Sequence, residues 1–111
     1  MIELSGDECF TTLDNDGFLL YYFTASWCKP CQEIYNDIIK LNKGIKDLNI
    51  FKIDISDDDN DEICETCMIK SVPSFLLFKD REYIDRIVGA NLKGLISMLQ
   101  NKIIIIYKDK M

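Results

Sequence analysis

The sequence predicts an α/β protein with a central mixed sheet of about five strands flanked by four helices. The first observation behind this prediction is that apolar strand-like runs alternate with helical patterns along most of the chain. The second is a pair of strand-like runs separated by a two-residue turn, which indicates a hairpin. The alternating part requires parallel strands with right-handed crossovers, and the hairpin adds antiparallel strands. A chain of 111 residues is long enough for a single core, so we expect one domain over residues 1–111.

The chain begins with a short strand candidate over residues 1–4. Ser5 or Asp7 can cap a brief helix after it, and that helix ends at the turn-forming sequence of residues 14–17. Residues 18–24 are almost all apolar or aromatic, which is typical of a central strand buried on both faces.

A longer helix is predicted after the central strand, because apolar residues recur there at helical spacing. This apolar stripe consists of Cys31, Ile34, Ile38, Leu41 and Ile45. It places Cys31 on the buried face of the helix, whereas Cys28 is expected to project from the exposed tip. This asymmetry predicts different roles for the two cysteines.

A third parallel strand and a further helix are predicted in the middle of the chain. Residues 50–55 form the strand, and the acidic run at residues 57–61 suits the N-terminus of the helix. Ile63 and Cys67 are the residues of this helix that we expect to face inward.

The last part of the chain is predicted to contain a hairpin and a helix. Residues 74–79 and 82–88 form the two strands of the hairpin, which are joined by residues 80–81. Asn91 is expected to cap the final helix. The inward positions of that helix are Leu92, Leu95, Ile96, Leu99 and Ile103.

The composition fits a soluble globular protein and argues against two classes of partner. Apolar residues make up 48% and charged residues 29% of the chain, and the net charge is −6. Nucleic acids and anionic membranes attract clustered Lys and Arg, so neither is expected as a partner of this acidic chain. The longest apolar run, residues 103–107, is too short to cross a bilayer.

Cysteine usage and the N-terminal sequence bear on the compartment. Residues 1–7 contain no basic stretch followed by an apolar one, so we expect no secretory signal. Five cysteines in such a chain fit a reducing compartment, where a Cys-x-x-Cys pair is catalytic or metal-binding more often than structural. We therefore expect a cytoplasmic location.

The most informative segment is residues 23–31, in which Cys28 and Cys31 lie between the central strand and the long helix. A helix N-terminus stabilises a thiolate through its unpaired N–H groups and its dipole, and a second sulfur one turn later can close a small ring with the first. The segment therefore predicts a dithiol/disulfide redox centre. The alternatives are half of a metal site or two core cysteines. Trp27, Pro30 and the strand-to-helix context disfavour them, because a zinc knuckle normally sits on a hairpin turn.

A second Cys-x-x-Cys pair, Cys64 and Cys67, follows the acidic run. A four-cysteine zinc site formed with the first pair is disfavoured, because Cys31 and Cys67 would both have to leave the core. The favoured interpretation is that Cys67 is a core residue and Cys64 a surface thiol. The alternative is a regulatory disulfide, since residues three apart in a helix are close enough for a strained bridge.

Three segments in this order resemble the landmarks of the thioredoxin family. Residues 27–31 match its redox motif, residues 71–75 its cis-proline segment, and residues 88–91 its glycine loop. The resemblance covers about residues 1–100 and implies a thioredoxin fold. Residues 101–111 are then an extension of the last helix or a tail.

The resemblance implies the chemical role of each site residue. Cys28 is the nucleophile that attacks a substrate disulfide, and Cys31 then attacks Cys28 and releases the reduced substrate. Pro73 is expected to follow a cis peptide bond and to lie against the two sulfurs. The residues expected to form a docking rim for the substrate are Trp27, Val72, Pro73, Gly89 and Ala90.

Three further residues are implied to support the redox pair. Pro30 lies inside the motif, and Lys29 replaces a commoner glycine there. The positive charge of Lys29 favours the thiolate, unless solvent screens it. Lys52 matches the family's partner lysine.

The resemblance also implies which partners the protein has. Substrates are proteins with disulfide bonds, and electrons come from NADPH through a separate reductase similar to thioredoxin reductase. We expect no bound cofactor, no metal ion and a monomer.

The chain departs from the family at Tyr22, where many members carry a buried aspartate that helps to move the proton of the buried cysteine. Tyrosine is too weak an acid to act as a base near neutral pH. Lys52, left without that carboxylate, is expected either to turn outward or to lie near Cys31. The Cys31 proton must then leave through water or through the Cys28 thiolate.

Two other functions remain open from the sequence. One is a disulfide isomerase or oxidase that uses the same cysteine pair. The other is a thioredoxin-like interaction module with little turnover, for which Tyr22 is the only hint.

Overall fold

The computed structural model describes the backbone of residues 1–109 and the side chains of residues 1–104. Its strands are β1 (Ile2–Leu4), β2 (Phe18–Thr24), β3 (Leu48–Asp54), β4 (Ser74–Lys79) and β5 (Glu82–Val88). Its α-helices are α1 (Glu8–Thr11), α2 (Lys29–Gly44), α3 (Asp61–Thr66) and α4 (Leu92–Asp109). Residues 101–109 continue α4, and residues 110 and 111 of the expected C-terminal extension lie outside the described residues.

The strands form one mixed sheet in the order β1-β3-β2-β4-β5, which confirms the predicted fold class. β3 runs parallel to both β1 and β2, whereas β4 is antiparallel to β2 and β5 is antiparallel to β4. β2 is therefore flanked on both edges, and all seven of its residues are buried. This burial explains its continuous apolar sequence.

The two faces of the sheet carry two separate apolar clusters, because successive side chains of a strand point to opposite sides. Leu20 and Tyr22 of β2 face α2 and α4, whereas Tyr21 and Phe23 face α1 and α3. On the first side the helices contribute Ile34, Ile38, Leu95, Met98 and Leu99. On the second side they contribute Cys9 and Ile63, and Cys67 packs there just after α3.

The helix boundaries follow local capping chemistry. Cys28 occupies the N-cap of α2, with Pro30 in the first turn, where a proline costs no hydrogen bond. The side chain of Asn91 accepts a hydrogen bond from the Gly94 N–H at 3.0 Å, so the predicted cap of α4 is present. Ile45, predicted as the end of the apolar stripe, lies at the C-cap of α2, just beyond the helix.

The β4–β5 hairpin turns at Asp80 and Arg81, which both have positive φ angles, 53° and 68°. Such a turn matches the right-handed twist of the two strands. The Arg81 guanidinium also donates to the Asp14 carboxylate, which ties the hairpin to the segment after α1. Within residues 1–109, no helix combines the length and apolarity needed to cross a membrane.

Candidate active site

The sulfur atoms of Cys28 and Cys31 are bonded to each other, and their Cα atoms lie 5.3 Å apart. The pair sits where β2 ends and α2 begins, so the tip of a buried strand leads directly into a helix N-terminus. The main-chain N–H of Cys31 donates to the Cys28 sulfur at 3.2 Å. An N–H group aimed at this sulfur stabilises a thiolate there once the bond is reduced.

Cys28 is less accessible than the sequence predicts. Its exposed fraction is 4%, against 1% for Cys31, so the expectation that Cys28 projects from an exposed tip is wrong in this disulfide-bonded state. The physical reason is that its sulfur is held by Cys31 and packed beside Ala25 and Val72. The carbonyl oxygen of Val72 lies 3.7 Å from the Cys28 sulfur. The helical periodicity of the sequence does not predict such tertiary contacts.

Of the residues expected to form the docking rim, Val72 packs directly against the two cysteines. Trp27, next to Cys28 in the chain, is 69% exposed. The peptide bond between Val72 and Pro73 is cis. The carbonyl of Pro73 accepts a hydrogen bond from the Gly89 N–H at 2.8 Å, which joins the two loops that carry the rim.

Two features extend this surface. Gly89 has a φ angle of 100°, a conformation that side chains disfavour, and Ala90 beside it is exposed. Val88, which the sequence places in the last strand and in the glycine loop but not in the expected rim, is 55% exposed and pairs with Ser74 directly after Pro73. The signal that could have identified Val88 as part of this surface was its position at the end of an edge strand.

Lys29 and Pro30 form the first turn of α2 and are both exposed. Solvent therefore screens the charge of Lys29, which favours a small effect of this lysine on the neighbouring thiol.

Tyr22 is fully enclosed below the redox pair. Its hydroxyl donates to the carbonyl oxygen of Cys31 at 2.9 Å, and its ring stacks on Phe75 with 5.1 Å between centroids. Burial raises the pKa of the Tyr22 hydroxyl above its ordinary value. Tyr22 thus stays neutral and anchors the first turn of α2, in agreement with the expectation that it is no base.

Lys52 turns toward the surface. Its Nζ atom lies 3.6 Å from a carboxylate oxygen of Glu3 on β1, and 5.7 Å from the centre of the Tyr35 ring. Of the two positions expected for Lys52, its ammonium group takes the outward one, because Glu3 offers a charge partner there. The lysine nevertheless lines a cavity that also reaches Cys31.

This cavity, of about 270 Å³, lies beside the buried cysteine. Its lining residues are Tyr22, Thr24, Ala25, Ser26, Cys31, Gln32, Tyr35, Lys52 and Asp54. The sequence places Asp54 within the predicted strand at residues 50–55, and sequence reasoning did not single it out as a site residue. The available signal was its position at the end of a strand parallel to the one that leads into the redox motif.

The second cysteine pair is separate from the first. Cys64 is half-buried in α3, and Cys67 is buried just after its end, which agrees with the favoured interpretation of Cys67 as a core residue. Cys67 packs in the cluster on the α3 side of the sheet, whereas Cys31 packs near the tip of β2. Among the described residues, no group of three or more cysteine and acidic side chains is placed to hold a metal ion.

Burial of the three free thiols makes them poorly reactive. Burial raises the pKa of Cys67 to about 11, although Arg86 lowers it, and burial raises the pKa of Cys9 to about 11. The pKa of Cys64 is also raised by burial, to which Asp61 adds. A regulatory bridge between Cys64 and Cys67 stays a prediction.

Comparison with known proteins identifies relatives of this chain. The thioredoxin family model matches residues 1–101. Thioredoxin-2 of Pyricularia oryzae is 35% identical over 88 residues, which cover 77% of this chain and 50% of that protein. The thioredoxin of Chlamydia pneumoniae is 32% identical over 102 residues, which cover 92% and 98% of the two chains.

A solved structure gives the same result at the level of the fold. The oxidised mitochondrial thioredoxin 3 of Saccharomyces cerevisiae superimposes with a TM-score of 0.83 at 27% identity. The superposition covers 91% of this chain and 94% of the yeast protein. It extends over nearly all of the region in which the sequence predicted strands, helices and the redox pair.

Proposed function

The chain belongs to the thioredoxin family and is a thiol–disulfide oxidoreductase, and from this premise we propose that it reduces disulfide bonds of proteins. The observation that carries the proposal is the Cys28–Cys31 disulfide at the N-terminus of α2. Trp27, the residue before Cys28, exposes most of its side chain next to this disulfide.

In the proposed reaction, Cys28 of the reduced protein acts as the nucleophile. The N–H of Cys31, which donates to the Cys28 sulfur, favours the thiolate of Cys28 over its thiol. The thiolate attacks one sulfur of the substrate disulfide and expels the other, so that a mixed disulfide forms. Pro30 supports this step by fixing the first turn of α2, and the exposed Lys29 adds a small, solvent-screened charge effect.

Cys31 completes the reaction. Its thiolate attacks the Cys28 sulfur, the bond to the substrate breaks, and the substrate leaves as a second thiolate. The protein dithiol is thereby oxidised to the disulfide, and the substrate disulfide is reduced by the same two electrons. Cys28 is the more exposed of the two cysteines, and its sulfur accepts the Cys31 N–H, so Cys28 is the one proposed to meet external disulfides.

Substrate docking is proposed for the rim formed by Trp27, Val72, Pro73, Gly89 and Ala90. The Val72 carbonyl near the Cys28 sulfur suits pairing with an extended substrate strand, as at the edge of a sheet. Exposed aromatic and apolar atoms around the sulfur provide affinity without demanding one substrate sequence.

Members of this family act on proteins with disulfide bonds and are recycled by a reductase. For this chain we propose a monomer in the cytoplasm that draws electrons from NADPH through a separate reductase and carries no resident cofactor or metal. Lys52 is proposed to support the site through its charge at the cavity. The net charge of −6 argues against nucleic-acid and membrane partners.

Reduction of insulin disulfides by dithiothreitol tests the proposal. The protein should accelerate insulin precipitation, Cys28→Ser should abolish the acceleration, and Cys64→Ser should leave it intact. An inactive wild-type protein that still binds disulfide-containing proteins would instead indicate an interaction module. The reduction potential, measured against glutathione, separates a reductase from an oxidase or isomerase. Cys31→Ser should trap mixed disulfides with native substrates.

A further inference from the structure

The resolving step of this reaction needs a proton acceptor that β2 does not provide. The Cys31 thiol must lose its proton before it can attack, and its side chain is 1% exposed. The hydroxyl of Tyr22 is committed to the Cys31 carbonyl, and burial raises its pKa. The chain contains no histidine, so a side chain that accepts this proton near neutral pH has to be a carboxylate.

Asp54 is the carboxylate that the fold brings to this place. In the parallel pairing of β2 and β3, Tyr22 lies opposite Lys52 and Thr24 lies opposite Asp54. Since side chains two residues apart share one face of a strand, Asp54 and Lys52 point to the α2 side of the sheet. α2 begins there with the redox pair.

The cavity of about 270 Å³ connects the carboxylate with the thiol. Both Asp54 and Cys31 line it, together with polar groups of Thr24, Ser26 and Gln32. A water molecule takes about 30 Å³ in the liquid and needs two to four polar partners, so the cavity offers room and partners for several waters. A proton can therefore travel from sulfur to carboxylate without a direct contact.

The carboxylate of Asp54 is held in a defined orientation. Its Oδ1 atom accepts hydrogen bonds from the N–H of Ser56 at 2.9 Å and from the Ser56 hydroxyl at 2.5 Å. The main-chain carbonyl of Asp54 accepts a further bond from the side-chain amide of buried Asn60 at 2.8 Å. These bonds engage Oδ1 and leave Oδ2 able to accept a hydrogen bond from water.

Ionisable side chains face the cavity from three elements packed around Asp54. Lys52 faces it from β3 and is paired with Glu3 of β1, and Tyr22 faces it from β2. Tyr35 faces it from α2, one turn after Cys31.

We propose that Asp54 accepts the proton of Cys31, through water in this cavity, when Cys31 attacks the mixed disulfide. The S–H bond of Cys31 breaks, the proton passes through water to the Asp54 carboxylate, and the new sulfur–sulfur bond to Cys28 displaces the substrate thiolate. Asp54 then returns the proton to solvent. This role rests on the proposed function, because it concerns the second step of that reaction.

The test is a two-phase reaction of the reduced protein with dithiobis(nitrobenzoic acid), followed by the absorbance of released thionitrobenzoate. The first release reports the attack by Cys28, and the second reports the attack by Cys31 on the mixed disulfide. The parent protein carries Cys64→Ser, which removes the half-exposed free thiol. Working at acidic pH slows both phases enough to separate them, because thiolates become scarce.

Asp54→Asn should slow the second phase about tenfold or more and leave the first unchanged, because general-base assistance is lost. Asparagine keeps the oxygen that accepts the Ser56 bonds, so the loop is preserved. Asp54→Glu should restore most of the rate. The difference in second-phase rate between Asp54→Asn and the parent protein should disappear above about pH 9, where hydroxide ionises the Cys31 thiol directly.

Asp58→Asn is the matched control, because it removes the same charge from an exposed residue outside the cavity. Equal slowing by both variants overturns the proposal, as does an unchanged second phase in Asp54→Asn or an equal loss in both phases. Asp54→Ser carries the same expectation if the asparagine variant does not fold. If the parent protein shows no two-phase release, the proposed function is wrong. If both phases are normal and no Asp54 variant changes them, only the proposed role of Asp54 is wrong.

Discussion

The hydroxyl of Tyr22 donates a hydrogen bond to the main-chain carbonyl of Cys31, with 2.9 Å between the two oxygen atoms. This bond joins β2 to the first turn of α2. The same ring stacks on Phe75 of β4, with an angle of 7° between the ring planes. Tyr22 therefore fixes the buried cysteine to the centre of the sheet.

Replacing Tyr22 with phenylalanine should lower the stability of the protein without slowing the attack by Cys31. The stacked ring remains, but a buried carbonyl loses a donor, so we expect the free energy of unfolding to fall by about 1 kcal/mol. The second phase of thionitrobenzoate release should change by less than about twofold, because a neutral hydroxyl with a raised pKa takes no proton. Denaturant unfolding and the two-phase reaction measure the two quantities.

Tyr83→Phe is the control for this prediction. Its hydroxyl accepts an exposed hydrogen bond from Arg86 Nε at 3.0 Å, so its loss should change the free energy of unfolding very little. A tenfold slower second phase in Tyr22→Phe at unchanged stability would show that the hydroxyl takes part in proton transfer after all.

The sequence was sufficient for the elements that depend on local pattern. The predicted bounds of β2, β4 and β5 are those observed, because continuous apolar runs and a two-residue turn define them. The Asn91 cap was also predictable, since an asparagine immediately before an apolar helical stripe offers its side chain to the first turn.

Features that depend on tertiary contacts were not predictable. The burial of Cys28 depends on the Val72 loop, which lies 44 residues further along the chain. The role of Asp54 depends on the register between β2 and β3, because a shift of one residue would turn its side chain to the opposite face. Met98 is buried because α4 presents a wider apolar face than its leucine and isoleucine positions indicate.

Trp27→Ala should weaken the docking of protein substrates. An exposed aromatic side chain beside the reactive sulfur is a typical binding hot spot, so we expect insulin reduction to slow about fivefold or more. The first phase with dithiobis(nitrobenzoic acid) should stay near the wild-type rate, because a small disulfide needs little docking surface. Tyr83→Ala, an exposed aromatic at the far end of β5, should affect neither rate. Equal losses with insulin and the small disulfide would contradict a docking role for Trp27.

In the reduced protein, Cys28 should be alkylated by iodoacetamide before any other cysteine. The Cys31 N–H favours its thiolate, so the reaction should proceed well below the ordinary thiol pKa of about 8.5. Cys31 should stay unmodified, because it is less exposed than Cys28 and the N–H bond favours the thiolate of Cys28. Peptide mapping by mass spectrometry after brief labelling measures the order.

Two variants sharpen the alkylation experiment. Cys28→Ser should remove the fast reaction instead of transferring it to Cys31. Lys29→Gln should shift the pH dependence only slightly upward, because that lysine is exposed. Rapid labelling of Cys31 in native protein would contradict the assignment of nucleophile and resolving cysteine.

The buried thiols should make the protein less stable at alkaline pH. Burial raises the pKa of Cys67 from 9.0 to about 11. A thiol with a higher pKa in the folded than in the unfolded chain stabilises the fold while it is protonated. Its contribution is therefore complete below pH 9 and lost as the pH rises to about 11. Two pKa units correspond to roughly 2 to 3 kcal/mol.

Cys67→Ala removes this titration, so its free energy of unfolding should fall less steeply across that pH window than that of the wild type. Chemical unfolding under reducing conditions at several pH values measures both slopes. Cys9→Ala should act in the same direction, since burial also raises the pKa of Cys9 to about 11. The half-exposed Cys64 is the control, and Cys64→Ala should change the slope less. Parallel pH curves for wild type and Cys67→Ala would mean that Cys67 ionises equally well in the folded and unfolded chains, which its packing between α3 and the sheet opposes.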